Sequence, residues 1–335
     1  MIPWKKTEFC SSLSLENNNI EEIYMKKLIF VIPMFILITD FGSSKSTVSS
    51  QSLSGKYLGQ EPPVMKAEIF AQGIISTDSF EHSSPNFSPD GNEIYWTQLT
   101  AEHGSEAIVK FVTKINGVWS SPQKATFLGG YDDMYPTFSH DGNKIYFSSG
   151  RAKENKKEIA KERGIWFIEK AMDGWSEPAY IGFDSLDIYG LSVASNGNIY
   201  FMAKRSDTPR LYDLYISEIN NGKYNSYEKL KEPINTEHYE DCPFISPDES
   251  YLIFESNRPG GYGGTDLYIT LNKGNNNWSE PVNLGGEINS SFPERFASLT
   301  RDGKYFFFGS DRNGNFDIYW IDTKIINELK DSIPK

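Results

Sequence analysis

The chain has 335 residues, 45 acidic against 33 basic side chains, and a formal net charge of −12. That balance argues against nucleic acid or an anionic membrane as the main partner, since both reward the opposite charge. The length admits one large all-β domain or two smaller ones.

Residues 25–39 read MKKLIFVIPMFILIT, with two lysines ahead of an apolar run. This is the order of a secretory signal, and the run is short for a bilayer span. A membrane anchor or a buried helix is the competing reading; export to the periplasm or outside is the expected one. The start is then Met25, residues 1–42 form a leader, and no stable membrane span remains once it is removed. Loss of the leader would leave 29 basic and 40 acidic side chains, so the acidic balance persists. Cys10 would go with it, and Cys242 alone builds neither an internal disulfide nor a zinc site. Residues 43–54 contain seven serines, the composition of a flexible linker, which is taken as 43–63. A folded domain is expected over 64–326 and a C-terminal tail over 327–335.

Within that domain a motif recurs. NFSPDGNEIYW at 86–96 and TFSHDGNKIYFSSGR at 137–151 are close relatives of FISPDESYLIFESNRPGGYGGTDLY at 244–268. SVASNGNIYFMAKR at 192–205 and SLTRDGKYFFFGSDR at 298–312 are weaker copies. The turn positions Gly91, Gly142, Gly197, Glu249 and Gly303 are spaced by 51, 55, 52 and 54 residues. A near-constant period of this size marks a repeat architecture.

Each unit reads as four strands. The first ends in Ser-Pro-Asp-Gly or a variant, where proline suits the second turn position and glycine the left-handed one. Glu249 in the glycine position predicts a strained or differently shaped turn. The second strand is a short apolar run, as in Ile94-Tyr95-Trp96, Leu252-Ile253-Phe254 and Phe306-Phe307-Phe308, the pattern of a strand covered on both faces. The third follows in DLYISEI, DLYITL and DIYWID; the fourth begins near Trp-Ser-x-Pro at Trp119, Trp175 and Trp278. The repeat shows no helical periodicity over a useful length. Radially packed four-stranded sheets, a β-propeller, are the architecture this period predicts.

Taken together, SPDGxxIYF, SNRPGGYGGTDLY and WSEPVNLG resemble the WD40-like repeat of TolB-type β-propellers in bacterial envelope proteins, over about residues 64–322. The resemblance implies an exported binding module that engages another envelope protein or a peptide. Spacing predicts the ring closure. Glu68 lies 23 residues before Gly91, as Glu280 lies 23 before Gly303. Residues 66–73 should therefore supply the missing fourth strand of the last unit, giving five blades, with six as the alternative that the resemblance carries.

Two motifs invite ligand readings and fail them. The run Gly260-Gly261-Tyr262-Gly263-Gly264 lacks the Gly-Lys-Ser/Thr that a phosphate loop needs. Asp311 to Asp317 meets neither the glycine nor the glutamate of an EF-hand. The recurrent arginines are instead expected to pair with third-strand aspartates as structural ties: Arg205 with Asp213, Arg258 with Asp266, Arg312 with Asp317.

The residues that open each first strand carry the candidate site: Glu81 and His82, Asp132 and Asp133, Asp187, Glu240 and Asp241, Glu294 and Arg295. Around a propeller channel they would form an acidic mouth that attracts a cation or a basic peptide. Calcium with oxygen ligands is the metal such a mouth would suit; no other cofactor is implied. The alternative is a glycoside hydrolase or lyase acting on an oligosaccharide through Glu81, Asp133, Asp187, Glu240 or Glu294. Tyr131, Tyr135, Tyr189, Tyr239, Phe292 and Phe296 flank the acids and offer stacking faces. None of His82, His103, His140 and His238 has a visible nucleophile partner, and Cys242 is expected as buried packing. A monomer is expected.

Overall fold

The computed structural model describes residues 53–100, 106–153, 159–183, 186–205 and 211–334. The leader, Met25 and His103 lie outside them. Five antiparallel sheets of four to six strands follow one another along the chain and form the five blades, and a two-stranded hairpin, Ile219–Asn220 with Lys223–Tyr224, extends the third. Their inner strands are Phe80–Glu81 with Asn86–Phe87, then Met134–Phe138, Ile188–Val193, Glu240–Ile245 and Glu294–Leu299.

The second strands show why the apolar runs are unbroken. Side chains alternate between the faces of a strand, and here each face meets a neighbouring blade. Ile94 and Trp96 are buried with Phe307, Ile318 and Trp320 of blade five, whereas Tyr95 is buried with Ile145 and Phe147 of blade two. Tyr146 turns the other way, to Ile199 and Phe201 of blade three. The core is thus divided among the gaps between blades, and each gap is filled from both sides.

The ring closes as its spacing predicts. Glu68–Ile69 pairs with the last blade's third strand, Glu68 opposite Trp320 and Ile69 opposite Tyr319. The amide of Phe70 donates to Ile318 at 2.7 Å, and its ring lies 5.0 Å from those of Phe307 and Trp320. Five blades, not six, complete the circle.

Both ends of the chain contribute more than their composition predicts. Tyr57, within the serine-rich linker, packs edge-on against Tyr305 and Trp320, and Leu58 is buried. Helix α1, Lys324–Ser332, runs through the predicted tail. Ile326 is buried beside Phe306 and Ile253, with Ile333 just past the helix in the same cluster. One turn of apolar spacing suffices for so short a helix, because packing rather than propensity stabilises it. No helix among the described residues is long and apolar enough to cross a membrane.

The turn at Glu249 adopts the left-handed conformation, with φ 58°. Its carboxylate accepts hydrogen bonds from Asn196 (2.7 Å), Asn198 (3.0 Å) and the Tyr200 hydroxyl (3.1 Å) of blade three. A side chain that strains its own turn therefore ties two blades together.

Candidate functional site: the central channel

The five acids that open the inner strands occupy equivalent places, each beside the end of its own second strand. Burial decides what they can do. Glu81, Glu240 and Glu294 are fully buried and Asp133 nearly so, so each needs a partner in place of water. Asp133 pairs with Arg151 at 3.0 Å, Glu294 with Arg312 at 3.0 Å, and Glu240 with both Arg205 and Arg258 at 3.4 Å. Asp187, less buried, pairs with Lys204 at 2.8 Å. Glu81 has no cation among the described residues and accepts from Thr77 (2.9 Å) and Gln98 (3.1 Å). Burial raises its pKa to about 7, against the pull of those bonds.

The same acids organise the loops that enter each blade. Thr236 donates its hydroxyl to Glu240 at 2.6 Å, and Ser290 donates likewise to Glu294 at 2.6 Å, each four residues upstream of its acid. Thr77 and Glu81 repeat that spacing. These carboxylates act as internal clamps.

The arginine ties differ from their predicted form. Arg205 does pair with Asp213, at 2.9 Å. Arg258 and Arg312 reach inward to Glu240 and Glu294 instead. Asp266 accepts from the amides of Tyr262 and Gly263 in the glycine run, and Asp317 from Asn315. The reason is stacking: Arg258 lies over Phe254 and Tyr268, and Arg312 over Phe308 and Tyr319, at 4.9–5.2 Å from the ring centres. That geometry aims each guanidinium at the inner strand and away from the aspartate.

Above the clamps the mouth carries both signs. Asp132 is ion-paired with Arg163, a residue absent from the predicted site. Tyr189 is faced by Lys204 at 4.7 Å and Arg163 at 5.2 Å. Arg295 stands 3.9 Å from Glu255, a fully buried acid on the second strand of blade four. Asp241, Cys242 and Glu255 bring one ligand atom each within 4.8 Å of one another. Burial raises the pKa of both acids and Arg295 opposes the rise. Two carboxylates and a thiol beside a guanidinium suit calcium poorly, since that ion takes six to eight oxygens. His82 bonds the Tyr135 hydroxyl at 3.0 Å, and burial, helped by Arg295 and Arg163, lowers its pKa to about 3, so it is neutral. Among the remaining aromatics, Tyr239 packs on Tyr212, Tyr131 lies under Arg151, and Phe292 is exposed.

Midway down the channel the inner strands bulge. Tyr135, Cys242 and Phe296 hold equivalent places there with φ of 55°, 40° and 60°. Each amide is caught by the preceding blade: Tyr135 by Thr97 (2.9 Å), Cys242 by Met202 sulfur (3.3 Å), Phe296 by Glu255 (2.8 Å). Gly190 fills the corresponding place in blade three, where an added Cβ would come within 3.3 Å of the Met202 sulfur and 3.5 Å of Cys242 Sγ. Cys242 is buried, as expected of packing.

From this bulge layer a cavity of about 230 Å³ runs to the turn end of the channel. All five blades line it, through Ser84, Thr137, Ser192, Cys242 and Ser298 among others. Its far end is formed by the repeat turns at His140, Pro247 and Arg301, with Asn327 of α1 alongside. Arg301 occupies the turn position held by proline in Pro89 and Pro247; that departure from the repeat was its visible signal.

No family model and no curated protein matches the sequence. Among solved structures the fold is similar to a TolB-assigned protein from Agrobacterium tumefaciens, with 19% identity, a TM-score of 0.49, and coverage of 73% of this chain and 78% of that one. It is also similar to TolB from Acinetobacter baumannii: 16% identity, TM-score 0.45, 74% of this chain and 55% of that one. The chain spans about half the length of the second protein. The chain is a five-bladed propeller. Likeness at this level concerns fold, and many activities share a propeller. What this chain binds must be argued from its channel.

Proposed function

We propose that the chain is an exported binding propeller of the bacterial cell envelope, which receives part of a protein or peptide partner in its central channel. The observation that carries this reading is the cavity lined by all five blades. A segment entering it meets five inner strands at once, with hydroxyls for hydrogen bonds and the aromatic faces of Tyr135 and Phe296 at its inner end. Such a concave surface with a few placed polar groups is what ligand recognition uses. The signal-like residues 25–39 support export.

The basis of attraction differs from a simple acidic field. Asp132 and Asp187 are offset by Arg163 and Lys204, and four of the five clamp acids are buried. Shape and hydrogen bonding therefore drive recognition. The hydrolase reading gains no support from Glu81, Asp133, Asp187, Glu240 and Glu294, since each is held by partners in the ring.

A photo-crosslinking amino acid at Val193, which lines the cavity, tests the proposal in envelope extract. The control position is Met172, fully exposed on the outer hairpin of blade two. A discrete adduct from position 193 that is missing from position 172 is expected. Equal adducts at both, or none at 193, would end the reading.

A further inference from the structure

We infer that Arg301 anchors a carboxylate-binding site at the turn end of the channel, where it receives an acidic side chain or a C-terminal carboxylate of a peptide ligand. This rests on the channel reading above and specifies what the ligand presents.

The argument begins with an unanswered charge. Among the described residues every arginine of the clamp layer has a carboxylate: Arg151, Arg205, Arg258 and Arg312 are all in ion pairs. Arg301 has none. Its Nε donates to Phe87 O at 3.0 Å, and Nη2 donates to Phe138 O at 3.2 Å and Ser139 O at 3.3 Å. These acceptors are carbonyls of blades one and two, so the side chain crosses from blade five under its neighbours. They fix the position of the guanidinium and leave its charge uncompensated. Nη1, with two donor hydrogens, makes no hydrogen bond to the described residues.

Nearby acids are committed elsewhere. Asp302 accepts from Thr300 at 2.7 Å and lies 3.5 Å from Lys304. Asp90 and Asp141 each accept from the serine two residues before them, at 2.6 Å. Burial alone lowers the pKa of Arg301, to about 10, with no carboxylate to oppose it. It is still a cation at neutral pH. A buried or half-buried charge without a counter-ion is costly, and an incoming anion removes that cost.

The surroundings suit an oxygen anion. Ser192 lines the same cavity and its hydroxyl hydrogen is given to none of the described residues, and a guanidinium fork matches a carboxylate better than an ammonium does. The chain's net negative charge does not prevent binding, because it is screened beyond about 8 Å at physiological salt. At the equivalent turn position the other blades carry Pro89, His140, Ser195 and Pro247. The site is therefore single, and it gives the channel a polarity.

The test uses the full chain with arginine side chains labelled for NMR. The probes are acetate and three acetylated tripeptides of alanine: one with a free C-terminus, one amidated, and one amidated with glutamate in the last place. The Arg301 signal, assigned by its loss in Arg301→Lys, should move with acetate and with at least one carboxylate-bearing peptide, but not with the plain amide. Which peptide moves it identifies the source of the carboxylate. Arg301→Gln should weaken binding at least tenfold. If Arg301→Gln fails to fold, the wild-type titration alone decides. No movement with any carboxylate, or equal movement with the amide, overturns the inference. A Val193 adduct formed equally well by Arg301→Gln would refute this site and leave the channel reading intact. Carboxylate binding at Arg301 without any adduct at 193 would do the reverse.

Discussion

The two ends of the channel handle charge in opposite ways. At the strand-opening end, Asp133, Glu240 and Glu294 are buried and each meets a guanidinium stacked between aromatic rings. At the turn end, Arg301 is held by three carbonyls and meets no acid among the described residues. The first arrangement satisfies itself, which is how scaffold behaves. The second is complete only with something added, which is how a binding site behaves. Burial of charge does not mark function; an unmatched charge beside an open volume does.

The largest expected effect sharpens the first half of this contrast. Arg151→Met leaves Asp133 buried and unpaired, and should cost about 3–5 kcal/mol in urea denaturation at pH 7. A loss below about 1 kcal/mol would mean that the pair is dispensable and the clamp description wrong. Adding Asp133→Leu to it should recover part of the loss, since a matched apolar pair leaves no charge stranded.

Glu81 supplies a pH test of the same end. Its folded pKa of about 7 lies above the ordinary 4.5 because of its burial. Below pH 4.5 both folded and unfolded chains hold the proton, and the stabilisation is full. Between 4.5 and 7 the unfolded chain ionises first, so stability falls as pH rises, by about 3 kcal/mol from this group. Glu81→Gln should flatten that slope and be the more stable protein at pH 8. Parallel profiles for the two proteins between pH 5 and 8 would refute this.

Arg301→Met probes the other end and should cost less than Arg151→Met, no more than about 2 kcal/mol, because it strands carbonyls and no carboxylate. A cost equal to that of Arg151→Met would erase the contrast between the two ends. The smallest effect concerns the turn itself. Glu249→Gly relieves a left-handed backbone but removes the acceptor for Asn196, Asn198 and Tyr200, for a net loss of about 1 kcal/mol. A clear gain in thermal midpoint would show that those bonds contribute little.

Much of the scaffold was legible beforehand. The spacing of Gly91, Gly142, Gly197, Glu249 and Gly303 implied five equivalent sheets, and the place of Glu68 relative to Gly91 implied the closing strand. Both inferences use local rules that each repeat copies. The candidate site was legible only as a set of residues. Glu81, Asp133, Asp187, Glu240 and Glu294 do occupy equivalent places, but whether such an acid faces solvent depends on partners contributed by other strands. Thus Arg258 and Arg312, matched by sequence to Asp266 and Asp317, turn to Glu240 and Glu294. Glu255 and Arg163 lay outside the predicted mouth altogether.

Sequence by itself determined the repeat, the strand order within each blade and the closing strand, because turn chemistry and alternating burial are short-range and repeated; the closed ring decided five blades over six. Tertiary structure decided which charges are neutralised, how α1 and Tyr57 cover the ring, and that Arg301 stands alone at the channel's end. Those outcomes depend on distances between blades more than a hundred residues apart, as between Arg301 and Phe138, and no local pattern encodes them.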